Sequence, residues 1–322
     1  MPFNRGWSYR EQVEPSATGQ TVLEYLTATR LHSTEAEWLD RLLRGEVEVE
    51  GTRARADDIL HAGQTVVWHR PPWDEPDVPT HFDVIHEDDA LVVVNKPSGL
   101  PTMPAGGFLE QTLLSLLRRR YPEASPLHRL GRATSGLVVF AKTSAAASLL
   151  ARSWRDRTVK KTYRALALGT TRTEMFVIDA PIGPVPHPTL GTVQAACEGG
   201  RPSHSVAVVL EQRHDQTLFS VDITTGRPHQ IRIHMAYAGH PLVGDPMYEA
   251  GGGLKPNPGL PGDGGYLLHA QTLQFPHPLT GQRMTVTATP PPELQTHREL
   301  VVGTNGRGDT EARSVIGKTQ LR

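Results

Sequence analysis

Between Thr21 and Trp68 the apolar positions change period partway along the chain. Leu23 and Leu26 fall on one face of a short helix expected over Thr21–Arg30, and Trp38, Leu39, Leu42 and Leu43 recur on one face of a second. Thr34 and Glu37 have capping-box spacing, in which each side chain satisfies a free amide at the helix start, and Gly45 stands where that helix would stop. Glu46-Val47-Glu48-Val49-Glu50 then alternates like a half-buried strand, Gly51 turns the chain, and Thr65-Val66-Val67-Trp68 supplies another strand. From Arg70 to Pro79 the chain is proline-rich and poor in backbone donors, so it cannot continue a sheet and reads as a linker. Beyond it, Val84-Ile85 and Leu91-Val92-Val93-Val94-Asn95 read as strands around the acidic turn Glu87-Asp88-Asp89. Leu109, Leu113, Leu116 and Leu117 mark an amphipathic helix, and Leu137 to Ala141 a buried strand. Thr143 or Ser144 caps a helix reaching Arg155, and Phe219, Val221 and Ile223 alternate as a strand. Pro228 suits a first helical turn, Ile231, Met235 and Ala238 share a face, and Gly239 with Pro241 ends that helix. Strands and helices are interspersed without regular alternation, which predicts an α+β fold with a mixed, mostly antiparallel sheet and flanking helices.

The 322 residues leave room for one substantial core and a small additional unit. The expected divisions are a flexible arm over 1–16, a small α+β module over 17–69, the linker over 70–80, the larger domain over 81–292, and a disordered tail over 301–322. Cys197 is the only cysteine, which excludes an intramolecular disulfide and points to a reducing cytoplasm. No stretch has the length and apolarity of a membrane span, and the first residues lack a signal-peptide core. A net charge of −1 does not announce a nucleic-acid binder, but basic residues cluster at Arg118-Arg119-Arg120 and again at Arg152, Arg155, Arg157, Lys160, Lys161 and Arg164. Such runs suit either a solvated surface or an RNA-facing one. Among the fifteen histidines, His229 and His234 are five apart with no glutamate placed as in a metalloprotease helix, so no metal is expected. Thr134-Ser135-Gly136 lacks the leading glycine of a nucleophile elbow, and the glycines at 251–253 and 259–265 read as a flexible loop without the phosphate-loop lysine.

Four segments carry a family resemblance. They are Glu87 to Pro101, containing Val94-Asn95-Lys96-Pro97-Ser98-Gly99-Leu100, and His128-Arg129-Leu130-Gly131-Arg132-Ala133-Thr134-Ser135-Gly136-Leu137. Val159-Lys160-Lys161-Thr162-Tyr163-Arg164-Ala165-Leu166 is the third, and Thr225-Gly226-Arg227-Pro228-His229-Gln230-Ile231-Arg232-Ile233-His234 with Gly239 to Asp245 the fourth. In this order they resemble the RluA-type pseudouridine synthases, the family named for its action on the large ribosomal subunit. Leu267-Leu268-His269-Ala270 and Phe275-Pro276-His277-Pro278 are similar to that family as well. The helix–helix–hairpin module ahead of them looks like an S4-type RNA-binding module. The resemblance implies the pseudouridine synthase fold and isomerisation of uridine in ribosomal or transfer RNA by detachment, rotation and reattachment of the base through carbon 5. It implies structured RNA as partner, no cofactor and no metal; a monomer is expected.

By the same resemblance Tyr163 would stack on the target base and assist proton removal from carbon, and Arg232 would pair with a catalytic aspartate. His128, Arg129, Leu130, Arg132, Thr134, Ser135, Lys160, Lys161, Arg227 and Gln230 would form the RNA-binding and active-site loops. The aspartate's own position, however, holds Gly131, with both flanks matching without a gap. Glycine can be neither nucleophile nor base. Three readings follow: another acid substitutes (Asp156, Asp245, Glu87, Asp88 or Asp89), the chain binds RNA without catalysis, or it acts on a different bond. An unpaired buried Arg232 would be costly, so an acid or an RNA phosphate is expected to meet it. Asp245, in its Gly-Asp-Pro turn, is expected to be structural.

Overall fold

A computed structural model describes residues 4–305. A four-stranded sheet comprises Trp7–Gln12, Thr65–Arg70, Val47–Val49 and Thr52–Arg53 in spatial order. It is covered by the helices Val22–Thr29 and Glu35–Arg44, both opened by capping boxes, Thr21 with Glu24 and Thr34 with Glu37. Gly45 closes the second helix in the left-handed region at φ 77°, where a side chain would be strained. The expected arm is therefore partly a strand: Trp7 to Gln12 pair antiparallel with Arg70 to Thr65. Its pattern is almost wholly exposed, so no alternation betrayed it. Trp38 and Leu42 are buried as expected, but Leu39 and Leu43 face outward.

The stretch expected as a linker is clamped. Glu75 is fully buried, and its carboxylate accepts backbone N–H bonds from Leu109, Glu110 and Gln111 at 2.9 Å each and one from Asn4 Nδ2 at 2.9 Å. Burial alone would raise its pKa; the amides of Glu110, Gln111 and Leu109 outweigh this and hold it below the usual value. Trp73 Nε1 donates to Gly107 O at 2.7 Å, and Arg70 lies 3.5 Å over the Trp73 ring. This use of residues 109–111 also shortens the expected Leu109 helix, which runs only over Leu113–Arg118.

The main sheet has ten strands. Its path runs Met175–Ile178, Ser205–Gln212, Gln216–Ile223, Lys160–Leu168, Leu268–Pro276, Ser135–Ala141, Leu91–Lys96 and Asp83–Glu87, with Arg283–Thr287 and Ser125–Pro126 attached beside it. Pairings are antiparallel except between His269–Ala270 and Ser135–Gly136, a short parallel seam near the middle. Ser135–Ala141 and most of Leu91–Lys96 are buried, as their unbroken apolar runs require. The helix Ser144–Arg155, capped by Thr143, packs on one face of this sheet. The helix Gln230–Tyr237 belongs to the other side, where Ile231 and Met235 join the larger core cluster. It starts after Pro228, with His229 as its cap residue, rather than at the proline. At the C-terminal end, His297–Asn305 is helical, so 301–305 differ from the disorder expected there; 306–322 lie outside the described residues.

Candidate active site

Three chain segments meet over the parallel seam. The 128–134 loop leads into Ser135–Ala141, Tyr163 stands mid-strand in Lys160–Leu168, and Arg232 projects from the helix Gln230–Tyr237. Together with Arg129, Leu130, Thr134, Arg227, His229, Gln230 and Tyr266 they line a cleft of about 100 Å³. That is small beside ordinary ligand pockets of roughly 300–1,000 Å³ and suits a single ring rather than a whole nucleotide. No carboxylate is among its lining residues.

Asp245 is the acid that meets Arg232. Its two oxygens accept from Arg232 Nε at 2.6 Å and Nη2 at 2.8 Å, and Oδ1 also accepts the amides of Met247 at 2.8 Å and Tyr248 at 3.2 Å. Burial pushes the Asp245 carboxyl up, but the Arg232 guanidinium holds it below the usual carboxylate range. Asp245 is thus spoken for on both oxygens, and it sits behind the arginine rather than on the cleft wall. The other candidate acids are engaged elsewhere. Glu87 pairs with Arg120 and Lys142, Asp88 holds His86, His277 and two turn amides, and Asp156 pairs with Arg152. Neither these nor Asp89 lines the cleft.

His229 holds φ 58°, a left-handed conformation uncommon for a histidine, at the lip of the cleft. Burial, then the charge of Arg232, pulls its pKa down to about 4, so it is neutral near pH 7. Tyr248 donates its hydroxyl to Gln194 O at 2.7 Å and so can only accept from His229 Nδ1, also at 2.7 Å. The network therefore assigns the proton to Nδ1 and leaves Nε2 an acceptor, with Arg232 Nη1 at 3.4 Å from both ring nitrogens. Tyr163 is pushed up to about 12 by burial and stays a phenol at neutral pH.

Several residues expected to touch RNA are bonded within the protein. His128 stacks on Trp154 at 5.5 Å and accepts Val139 N–H at 3.2 Å; burial pulls it down to about 3. Ser135 bonds His269 Nδ1 at 2.9 Å inside the protein. Gln230 accepts from Thr225 Oγ1 and Arg227 N and donates to His204 O and Ser205 Oγ, which uses its whole amide. Leu130 is core and is bridged to Thr102 Oγ1 through its own amide and carbonyl. Arg164 turns away from the basic cluster to bond Glu299 at 2.7 Å and Gln271 at 2.8 Å. Arg129 and Lys160 are exposed; Lys161 is half-buried with Nζ 3.5 Å from Thr225 O, and Arg227 half-buried with Nη2 3.4 Å from Pro202 O. Arg132 Nε donates to Gly262 O at 2.9 Å, so the glycine-rich loop folds onto the 128–134 segment.

Two residues of the site escaped the sequence reading. Lys96 is fully buried, and its ammonium donates to the carbonyls of Pro97 at 3.0 Å, Leu100 at 2.7 Å and Arg132 at 3.1 Å, fastening the loop around Gly131. Tyr266 stands just before Leu267-Leu268-His269-Ala270, its ring 4.2 Å from the Arg232 guanidinium and its hydroxyl 3.3 Å from Thr134 Oγ1. A signal was present: Asn95-Lys96-Pro97 puts a lone lysine in an apolar run, and Tyr266 follows a glycine pair directly ahead of a strand.

Among the described residues no helix is long and apolar enough to cross a membrane. A family model described as RNA pseudouridylate synthase matches residues 90–237. The chain is 40% identical to an RNA pseudouridine synthase of Synechocystis sp., over 85% of this chain and 96% of that one. It is 35% identical to RNA pseudouridine synthase 5 of Arabidopsis thaliana, over 92% of this chain and 96% of that one. To ribosomal large subunit pseudouridine synthase D of Vibrio parahaemolyticus it is 32% identical, over 93% and 94%. Human RNA pseudouridylate synthase domain containing 1 superposes with a TM-score of 0.55 at 26% identity, covering 74% of this chain and all of that one. With motifs, fold and relatives in agreement along most of its length, the chain belongs to the RNA pseudouridylate synthase family.

Proposed function

We propose that this protein isomerises uridine to pseudouridine in a structured cytoplasmic RNA, with ribosomal RNA as the first candidate and transfer RNA the second. The observation that carries the reading is the convergence of Gly131, Tyr163 and Arg232 on one base-sized cleft. A base must leave its stack to enter such a site. Tyr163 offers the ring on which it would lie, and a hydroxyl that is a donor at neutral pH rather than a base. The purely RNA-binding alternative is not favoured, since the relatives spanning most of this chain bear the names of synthases.

The expected measurement is tritium release from carbon 5 of uridine, using labelled RNA from cells lacking this gene. Release by the purified protein supports isomerisation, whereas silence on both ribosomal and transfer RNA would sink it.

Backbone contacts are assigned to the exposed Arg155, Arg157 and Lys160, with Arg129 and Arg227 at the cleft. Arg227 Nε is a buried donor with no partner among the described residues, a position that an RNA phosphate would satisfy. Replacing Arg155, Arg157 and Lys160 together by alanine is expected to weaken RNA binding and flatten the log–log salt dependence by about 2 units, from roughly 0.7–0.9 per phosphate contact. Filter binding between low and moderate salt reads the slope; an unchanged slope removes these residues from the interface. The small amino-terminal module is proposed to hold the same RNA, as its S4-like pattern suggests.

A further inference from the structure

Among the described residues the cleft has no carboxylate on its wall, yet the space in front of Gly131 is filled. A Cβ at Gly131 would point at the Tyr266 hydroxyl, 2.6 Å away, with Thr134 Oγ1 at 3.5 Å. The phenolic oxygen thus stands where a side chain on residue 131 would begin.

Its placement is built from three sides. The ring packs on the Arg232 guanidinium at 4.2 Å, and the hydroxyl meets Thr134 Oγ1 at 3.3 Å. Behind it, Gly244 and Gly265 touch backbone to backbone. A Cβ on Gly244 would fall 2.2 Å from Gly265 O, and both residues have positive φ, 74° and 111°. Asp245, which grips Arg232, follows the first of these glycines; Tyr266 follows the second. The contact therefore ties the turn that orients the arginine to the strand entry that orients the phenol.

We propose that Tyr266 supplies the catalytic oxygen that residue 131 does not. This rests on the isomerase reading above. The Tyr266 oxygen attacks carbon 1′ of the flipped uridine; the bond from carbon 1′ to N1 breaks, its electron pair stays with N1, and the phenolic proton moves to N1. The free uracil turns within the cleft. Carbon 5 then bonds to carbon 1′ as the bond from the Tyr266 oxygen to carbon 1′ breaks, and the proton leaving carbon 5 returns to the phenolic oxygen. Bonds and protons balance over the cycle with no other reactant. Tyrosine forms covalent sugar intermediates of this type in other enzymes, such as sialidases. Arg232, held by Asp245, lies beside the ring as a fixed positive charge while negative charge develops on the oxygen.

The test compares Tyr266→Phe, Gly131→Asp and the double variant with wild type, by tritium release and RNA binding, with thermal melts as folding control. Tyr266→Phe is expected to lose roughly 10³-fold or more in turnover while binding RNA about as well as wild type. Gly131→Asp alone is expected to be inactive, because its Cβ meets the hydroxyl. In the double variant that hydroxyl is gone and the nearest ring carbon lies 4.0 Å from the new Cβ, so the clash is relieved and activity is expected to return in part. Turnover by Tyr266→Phe close to wild type would overturn the assignment. So would a loss of RNA affinity that accounts for the lost rate, since Tyr266 would then be a binding residue. A wild type silent on both RNA classes instead overturns the isomerase reading, a different result from an active wild type with an active Tyr266→Phe.

Discussion

Asp245→Ala is expected to destabilise the protein by about 3–5 kcal/mol, the range for stripping one partner from a buried ion pair. Arg232 is 2% exposed, boxed between the Tyr248 ring at 5.0 Å and the Tyr266 ring at 4.2 Å, and neither ring can replace a carboxylate. The amides of Met247 and Tyr248 lose their acceptor at the same time. Urea unfolding of wild type, Asp245→Ala and the double variant Asp245→Leu/Arg232→Met separates charge burial from shape. The double variant is expected to recover much of the stability, because an apolar pair leaves no unpaired charge. A single variant melting like wild type would mean that Arg232 finds water or another acceptor. The pH dependence has a definite sign. The folded Asp245 pKa is depressed, so its contribution is present above the unfolded value of about 3.9 and is lost as pH falls through the folded value. Asp88 behaves alike, its folded carboxyl lowered to about 2, although burial opposes this, by bonds from His86 and from the amides of Leu91 and Ala90. Wild type should therefore lose stability progressively from about pH 4 downward, and Asp245→Ala should lose less over that range.

Gly136→Ala is expected to cost about 4 kcal/mol or more, enough to abolish soluble folded protein. Gly136 sits in the parallel seam at φ 111°, and a Cβ there would fall 2.3 Å from Ala270 O and 2.5 Å from Ala270 N. Those are backbone atoms of the central strand, so they cannot rotate away as a flexible side chain could. The strain of a non-glycine residue at that φ comes on top. Soluble yield and melting temperature check it; a variant melting within about 2 °C of wild type, a shift worth roughly 1–1.5 kcal/mol for a chain this size and well short of the expected cost, would show that the seam can open. The strand entering the seam carries the 128–134 loop, so any surviving protein should also be a poor catalyst.

How much of this was legible beforehand differs from element to element. The capping box at Thr34 and Glu37, the left-handed stop at Gly45, the cap at Thr143 and the buried run Leu137 to Ala141 follow from local rules, because each depends on neighbours a few positions away. Trp7–Gln12 was not legible, since an exposed edge strand carries no apolar alternation and exists because Thr65–Arg70 offers it hydrogen bonds. Glu75 looked like part of a proline-rich linker; only folding brings the amides of residues 109–111 to its carboxylate.

The site divides in the same way. From the apolar pattern came the α+β class, and from the resemblance of four motifs to a known family came Tyr163 and Arg232 as expected members of the site and the missing carboxylate at Gly131. Tertiary structure decided which acid meets Arg232, which partners inside the protein bond the expected RNA-contact residues, and what fills the space before Gly131. The reason is physical. Helix caps and strand alternation are short-range consequences of backbone geometry. The partners of a buried charge, and the occupant of a cavity, are set by whatever distant segment the sheet carries there. Asp245 and Tyr266 reach Arg232 and Gly131 because Gly244 and Gly265 let two backbones touch.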